Sequence, residues 1–206
     1  MTGDGARVVL IGGTSNTGKS TLGRLLADRL GFEYRTTDTL ARHPGRPWPV
    51  PGWEVPPHVA EHYRTLAVEE LIASVREHYA RLWPRIEQLI AKGAGAGLVL
   101  EGSALWPPEV ARLTGSRVSA HWLRADEAIL RARIRTAGHY PEASPDGRYL
   151  MDKFLARSVR YQELLLAEPA ALGSEPLDTG DGRSVEELGD AVLAAVAGRA
   201  AVTGEG

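Results

Sequence analysis

A chain of 206 residues, 43% hydrophobic and 24% charged, can bury one sizeable core and has the make-up of an ordinary folded protein. Its formal net charge of −2 supplies no global attraction to nucleic acid or to an anionic membrane. Cysteine is absent, which excludes disulfides, thiolate metal sites and cysteine nucleophiles; with no membrane-length apolar run and no basic-then-apolar leader, a cytoplasmic location is expected.

Residues 7–11 form an apolar run of strand length, and Leu22, Leu25, Leu26 and Leu30 recur at helical spacing before Gly31. Between them, residues 12–21 read Gly-Gly-Thr-Ser-Asn-Thr-Gly-Lys-Ser-Thr. Gly13, Gly18, Lys19 and Ser20 fill the fixed positions of the phosphate-binding pattern G-x-x-x-x-G-K-[ST], in the strand–loop–helix context that the pattern requires. Here the glycines let backbone N–H groups of Gly13, Thr14, Ser15, Asn16, Thr17, Gly18 and Thr21 turn toward phosphate oxygens, and the helix N-terminus adds positive potential. Lys19 is expected to reach the outer phosphates and the Ser20 hydroxyl to ligate Mg²⁺. Lysine usage supports this reading, because the chain has only Lys19, Lys92 and Lys153 against 21 arginines. A bound nucleoside triphosphate is the expectation.

Residues 32–36 read as a second strand, which places Asp38 just beyond a strand end, where open α/β sheets bind ligands. Residues 42–57 carry too much proline for a helix or a central strand. They are either a stiff connector whose tryptophans pack down or a substrate loop presenting Arg42, His43, Arg46, Trp48 and Trp53. Residues 58–92 have the spacing of a long amphipathic helix, or of a kinked pair with Pro84 at the kink, stopped by the glycine-rich run 92–97. His58 and His62 stand one turn apart and could share a metal, but no further ligand accompanies them, which favours a solvated face.

Residues 98–100 form a short buried-type strand ending at Glu101, a carboxylate able to hold Mg²⁺ through water, hold substrate hydroxyls, or cap the next helix. A helix is predicted over 107–113 and a fourth strand over 118–123. The helix over 126–136 is rich in arginine; Arg124, Arg131 and Arg135 share one face if the helix extends back to Arg124, while Arg133 points elsewhere. That face is either an exposed salt-bridged surface or a functional one. A helix over 148–167 sets Arg157 and Tyr161 one turn apart. The last strand falls at 176–179, and a closing helix over 184–197 opens with the capping box of Ser184 and Glu187.

Short apolar strands alternating with helices indicate an α/β fold, a five-stranded parallel sheet covered on both faces. With the glycine loop after the first strand, the chain resembles the P-loop small-molecule kinases related to shikimate, gluconate and nucleoside monophosphate kinases. The form Gly-Gly-x-Ser-x-x-Gly-Lys-Ser is also similar to that of proteins labelled 2-phosphoglycerate kinase-like. The resemblance covers nearly the whole chain and implies one domain, with ATP and Mg²⁺ as cofactors and a small-molecule acceptor. It implies that Asp38 holds the acceptor hydroxyl and takes its proton, with Glu101 assisting metal or substrate or serving as the base instead. Arg131 and Arg135 look like part of a mobile lid over 124–147, Arg157 like the arginine that contacts transferred phosphate or substrate, and Gly180 like the turn beside adenine. Residues 39–92 occupy the acceptor-binding region, where Arg42, His43, Arg46 and Trp53 would suit an acceptor bearing carboxylate or phosphate.

The second strand ends in Thr36-Thr37-Asp38, without the paired aspartates of shikimate kinases, and Glu101-Gly102-Ser103 stands in place of a triple glycine. A homodimer is compatible with the resemblance; a membrane partner is not expected. One alternative, a polynucleotide-end kinase, is disfavoured by the near-neutral charge. The other, a nucleotide switch or ATPase without an acceptor, leaves residues 39–92 without a role.

Overall fold

A computed structural model describes residues 6–41, 43–113 and 117–202. Arg42 therefore lies outside the described residues. Five strands, β1 (Val8–Gly13), β2 (Glu33–Thr36), β3 (Leu98–Glu101), β4 (Val118–Arg124) and β5 (Leu177–Asp178), form one sheet in the order β2-β3-β1-β4-β5. Every neighbouring pair is parallel, as the α/β expectation requires. Around the sheet run α1 (Lys19–Leu30), α2 (Pro57–Thr65), α3 (Val68–Ala96), α4 (Pro107–Ala111), α5 (Glu127–Ala137), α6 (Pro145–Leu166), α7 (Pro169–Leu172) and α8 (Val185–Val202). No helix among the described residues is long and apolar enough to cross a membrane.

Strand alternation divides the core into two layers. Val8, Leu10, Leu98 and Leu100 pack with α3 residues such as Ile86 and Ile90 on one face. Val9, Ile11 and Val99 pack with Leu22 and Leu26 of α1 and Val192 of α8 on the other. A third cluster lies off the sheet, where Trp48, Val59 and Tyr63 pack with Leu130, Ile134, Leu150 and Phe154. Trp48 is 1% exposed and meets Phe154 edge-on at 4.9 Å, so the proline-rich segment is anchored by its tryptophan. That segment also closes on itself through the antiparallel bridge of Val50 with Trp53. It ends as a helix, because Pro57 occupies the first turn of α2, where a missing N–H costs nothing.

The helical stretch beyond it departs from expectation in where it breaks. It is a pair, but the break falls at Leu66 and Ala67, whose ψ angles of 140° and 164° are extended, and not at Pro84. Glu70 accepts the Ala67 N–H at 2.7 Å, which starts α3 afresh. Pro84 sits on an exposed position of α3, where water can satisfy the carbonyl it leaves unpaired. The glycine run does stop the helix, at its last member: α3 continues to Ala96, and the turn comes at Gly97 with φ +100°. Gly93 is there for packing, since a Cβ on it would lie 2.5 Å from the Leu98 Cβ.

Candidate active site

β1 delivers the glycine loop through two close approaches. A Cβ on Gly12 would stand 2.1 Å from Trp122 Cζ3, and one on Gly13, at φ +141°, 2.6 Å from the Leu123 carbonyl oxygen. Buried hydroxyls tie the loop down: Thr14 Oγ1 donates to the Ser158 carbonyl at 2.8 Å, and Thr17 Oγ1 donates to the Thr14 carbonyl at 2.9 Å. Asn16 and Gly18 take positive φ angles of 63° and 90°. Lys19, 8% exposed, donates through Nζ to the Thr14 carbonyl at 2.6 Å. Burial lowers its pKa, against the opposing pull of the Glu101 and Asp38 carboxylates.

The register Ile11↔Glu101 places the end of β3 beside the loop. Glu101 is 4% exposed, and its Oε1 accepts from Ser20 Oγ and from Tyr34 OH, each at 3.0 Å. Burial, and next the Glu101 charge, raise the Tyr34 pKa. Glu101 does not cap a helix; α4 starts six residues later with Trp106 at its cap position. Asp38 sits in a 3₁₀ turn, Thr37–Thr39, whose cap is Thr36 Oγ1 accepting from Asp38 N at 3.3 Å. The turn abuts the end of β3 so closely that a Cβ on Gly102 would lie 1.8 Å from Thr37 Oγ1. The Asp38 carboxylate is exposed and accepts no hydrogen bond among the described residues.

These groups line a cavity of about 630 Å³. Ser15, Asn16, Gly18, Lys19, Ser20, Thr21, Asp38, His43, Arg46, Trp53, Glu101 and Arg157 all face it. The third-strand carboxylate, the second-strand aspartate and much of the proline-rich segment are thus brought to one place.

Arg157 on α6 is 6% exposed. Its Nη1 donates to Tyr63 OH at 2.9 Å, its guanidinium lies 4.8 Å from the Phe154 ring centroid, and its Nε has no partner. No carboxylate pairs with it among the described residues. Tyr161, one turn on, donates to the Ser103 carbonyl at 2.5 Å and so braces the exit from β3.

His43 accepts or donates at Nε2 with Ser74 Oγ at 3.0 Å, and its ring lies 5.1 Å from His62 and 4.8 Å from His78. Burial, then His78, His62 and Arg157, push its pKa down to about 4, so the ring is neutral at pH 7. His62 packs against this cluster with a buried Nε2, and does not lie on a solvated face. Among the described residues no three His, Cys, Asp or Glu side chains are placed to hold a metal ion.

The arginine helix differs most from the sequence reading. Arg131 pairs with Glu127, and Arg135 pairs with Asp152 at 3.2 Å while stacking 4.2 Å from the Tyr140 centroid. Neither lines the cavity. Arg133, expected to point elsewhere, is the one that reaches the glycine loop: Nη1 donates to the Asn16 carbonyl at 3.3 Å and to Thr179 Oγ1 at 2.8 Å, and Nη2 to the Thr179 carbonyl at 2.5 Å. Leu130 and Ile134 mark the buried face of α5. Positions 131 and 133 flank that face on opposite sides at 3.6 residues per turn, and 135 lies further round beyond 131, so helical spacing alone does not tell which arginine turns to the loop. These bonds also bring Thr179, and Gly180 beside it, next to Asn16.

No protein-family model matches the chain. It is 31% identical over 202 residues to a shikimate kinase from Streptomyces coelicolor, a match covering 93% of this chain and 96% of that one. Among solved structures it shares the fold of a gluconokinase from Sinorhizobium meliloti, with a TM-score of 0.53 at 18% identity over 97% of this chain and 95% of that one. A deoxyadenosine kinase from M. mycoides gives the same TM-score of 0.53 at 12% identity, covering 93% and 99%. A parallel sheet that puts a lysine-bearing phosphate loop, two carboxylates and a buried arginine around one cavity, in a chain related over nearly its whole length to shikimate kinases, leaves one assignment: the chain belongs to the shikimate kinase family and is a small-molecule kinase, a transferase that phosphorylates a hydroxyl group.

Proposed function

We propose that the chain transfers the γ-phosphoryl group of Mg·ATP to a hydroxyl of a small anionic metabolite or natural product held between Asp38 and Arg157. Arg157 is the observation that carries this reading. A buried guanidinium without a counter-ion is costly, and it stands in the wall of the cavity that also holds Lys19 and Ser20. An acceptor carboxylate or phosphate would complete it. Because His43 is neutral, Arg157 and Arg46 are the full cations on that side of the cavity among the described residues.

Lys19 and the loop amides from Gly13 to Thr21 would hold the outer phosphates, with Gly180 beside the base. The adjacent oxygens of Ser20 and Glu101 suit Mg²⁺, which takes one or two protein oxygens together with phosphate oxygens and waters. Bound there, the metal would neutralise charge on the β- and γ-phosphates. Glu101 is already engaged by Ser20 and Tyr34, so the unbonded Asp38 is the better base. The acceptor oxygen bonds the γ-phosphorus as the bond to ADP breaks, and the hydroxyl proton passes to Asp38. Arg131 and Arg135 would join the site only if the segment 124–147 closes as a lid, exchanging Glu127 and Asp152 for phosphate oxygens.

ADP release with Mg·ATP across a panel of hydroxy acids tests the reading, with Lys19→Ala as control. Acceptor-dependent ADP formation that Lys19→Ala removes is expected; hydrolysis indifferent to every acceptor overturns it.

A further inference from the structure

Among the described residues, Glu101 and Asp38 are the two carboxylates that face the cavity. Asp38 is exposed, whereas Glu101 is buried and bonded to Ser20. A carboxylate that shares a cation with Ser20 has to keep one orientation. Lys19 offers a competing attraction, because the Glu101 charge raises the pKa that burial of the ammonium lowers. Tyr34 opposes that turn. Its hydroxyl and that of Ser20 both donate to Glu101 Oε1, each at 3.0 Å, so one oxygen is fixed from two sides and the other keeps one direction.

The fold makes room for this contact. Tyr34 lies on the edge strand β2 and packs with the cluster of Leu22, Leu26 and Val99 on the α1 face of the sheet. Its ring passes Gly23 inside α1, where a Cβ would lie 3.1 Å from Tyr34 Cε2 and 3.5 Å from Glu101 Cγ. Glycine weakens a helix interior, and here its bare α-carbon leaves the space that the phenol uses. The Arg24 guanidinium covers the ring at 5.0 Å from its centroid. Burial and the Glu101 charge keep the phenol protonated, and therefore a donor. Tyr34 itself is not in the cavity wall, so whatever it does there passes through Glu101.

We propose that Tyr34 is a positioning residue of the metal–nucleotide site: its hydroxyl fixes Glu101 beside Ser20, so that a divalent cation meets both side chains at once. This rests on the kinase reading above and extends it to a side chain behind the cavity wall.

The test is calorimetric titration of the full chain with β,γ-imido-ATP, a triphosphate that is not hydrolysed, once with Mg²⁺ and once with EDTA. The ratio of the two affinities reports what the metal contributes to binding. Tyr34→Phe should cut that ratio about tenfold, the usual scale for losing a group that orients a metal ligand, while the affinity in EDTA holds within about twofold. In a Glu101→Ala background the same substitution should change the ratio by less than about twofold, because the carboxylate it acts on is gone. An unchanged ratio in Tyr34→Phe overturns the proposal. So does a loss that is equal with Mg²⁺ and with EDTA, or one that persists undiminished beside Glu101→Ala; either marks a packing role. A parent chain that binds the analogue equally well in both conditions overturns the metal site and this inference with it, whereas one that binds it in neither overturns the kinase reading.

Discussion

Arg133 Nη1 lies 3.3 Å from the carbonyl oxygen of Asn16, and the same guanidinium holds both Thr179 oxygens, so one side chain joins α5, the phosphate loop and the turn after β5. The Asn16 carbonyl and the Thr17 N–H belong to one planar peptide unit and point opposite ways. Holding that carbonyl therefore fixes the direction of the Thr17 N–H as well. Asn16 is left-handed, at φ +63°, a conformation that few residues other than glycine adopt readily.

It follows that Arg133→Ala should raise the KM for ATP about tenfold to a hundredfold, for a loss of about 1.5–3 kcal/mol in hydrogen bonds made by a charged group. The acceptor KM should hold within about twofold, because Arg133 lies outside the cavity wall. Initial rates with each substrate varied in turn check the split, and a rise confined to the acceptor KM would refute it.

Asp38→Asn keeps the shape of the side chain and removes its basicity. Phosphoryl transfer should fall about a hundredfold to ten-thousandfold, the usual contribution of a positioned base. ATP affinity should change little, since the loop and Lys19 are untouched. Parallel nucleotide titration and ADP release measure the two effects; full activity in this variant would hand the base role to Glu101.

His43 makes stability fall in acid. Its folded pKa, about 4, lies below the ordinary 6.5, so the unfolded chain binds more protons between those values. The contribution is complete above pH 6.5 and declines as pH drops toward 4. Water reaches part of the ring and screens it, so the loss is about 1–2 kcal/mol rather than the full value of the shift. His62 and His78 shift in the same direction, chiefly through burial. Thermal unfolding at about pH 7.5 and about pH 5 should show a smaller acid loss in His43→Gln than in the parent. Equal losses would mean that the ring is already solvated.

Two glycines should behave oppositely. Gly12→Ala drives a methyl into the Trp122 ring beneath the phosphate loop and should cost about 1–3 kcal/mol or more. Gly95, in the last turn of α3, has open space where a Cβ would go, so Gly95→Ala should stabilise by about 0.5–1 kcal/mol. Denaturant melts of the two variants settle the signs.

Local pattern sufficed for the five strands and for the strand, glycine loop and helix that open the sheet. Strand, glycine loop and helix are contiguous, so a ten-residue motif specifies its own geometry, and parallel strands covered on both faces announce themselves as short apolar runs. The same pattern misplaced the break in the long helical pair. Pro84 looks disruptive in any local window, yet α3 runs through it; the real break at Leu66 and Ala67 depends on a fresh helix start capped by Glu70.

The acceptor end was legible only as a set of residue types. Which of its arginines face a ligand depends on partners far away in the chain: Glu127 and Asp152 occupy Arg131 and Arg135, whereas Arg157 is buried against Tyr63 and Phe154 with no carboxylate at hand. The lowered pKa of His43 likewise arises first from its burial and then from His78 and His62, on two helices distant in the chain. The sequence by itself determined that a phosphate-binding loop opens an α/β sheet. The tertiary structure decided which charges remain unpaired around the cavity, because burial and counter-ions are properties of packing between segments and not of any one of them.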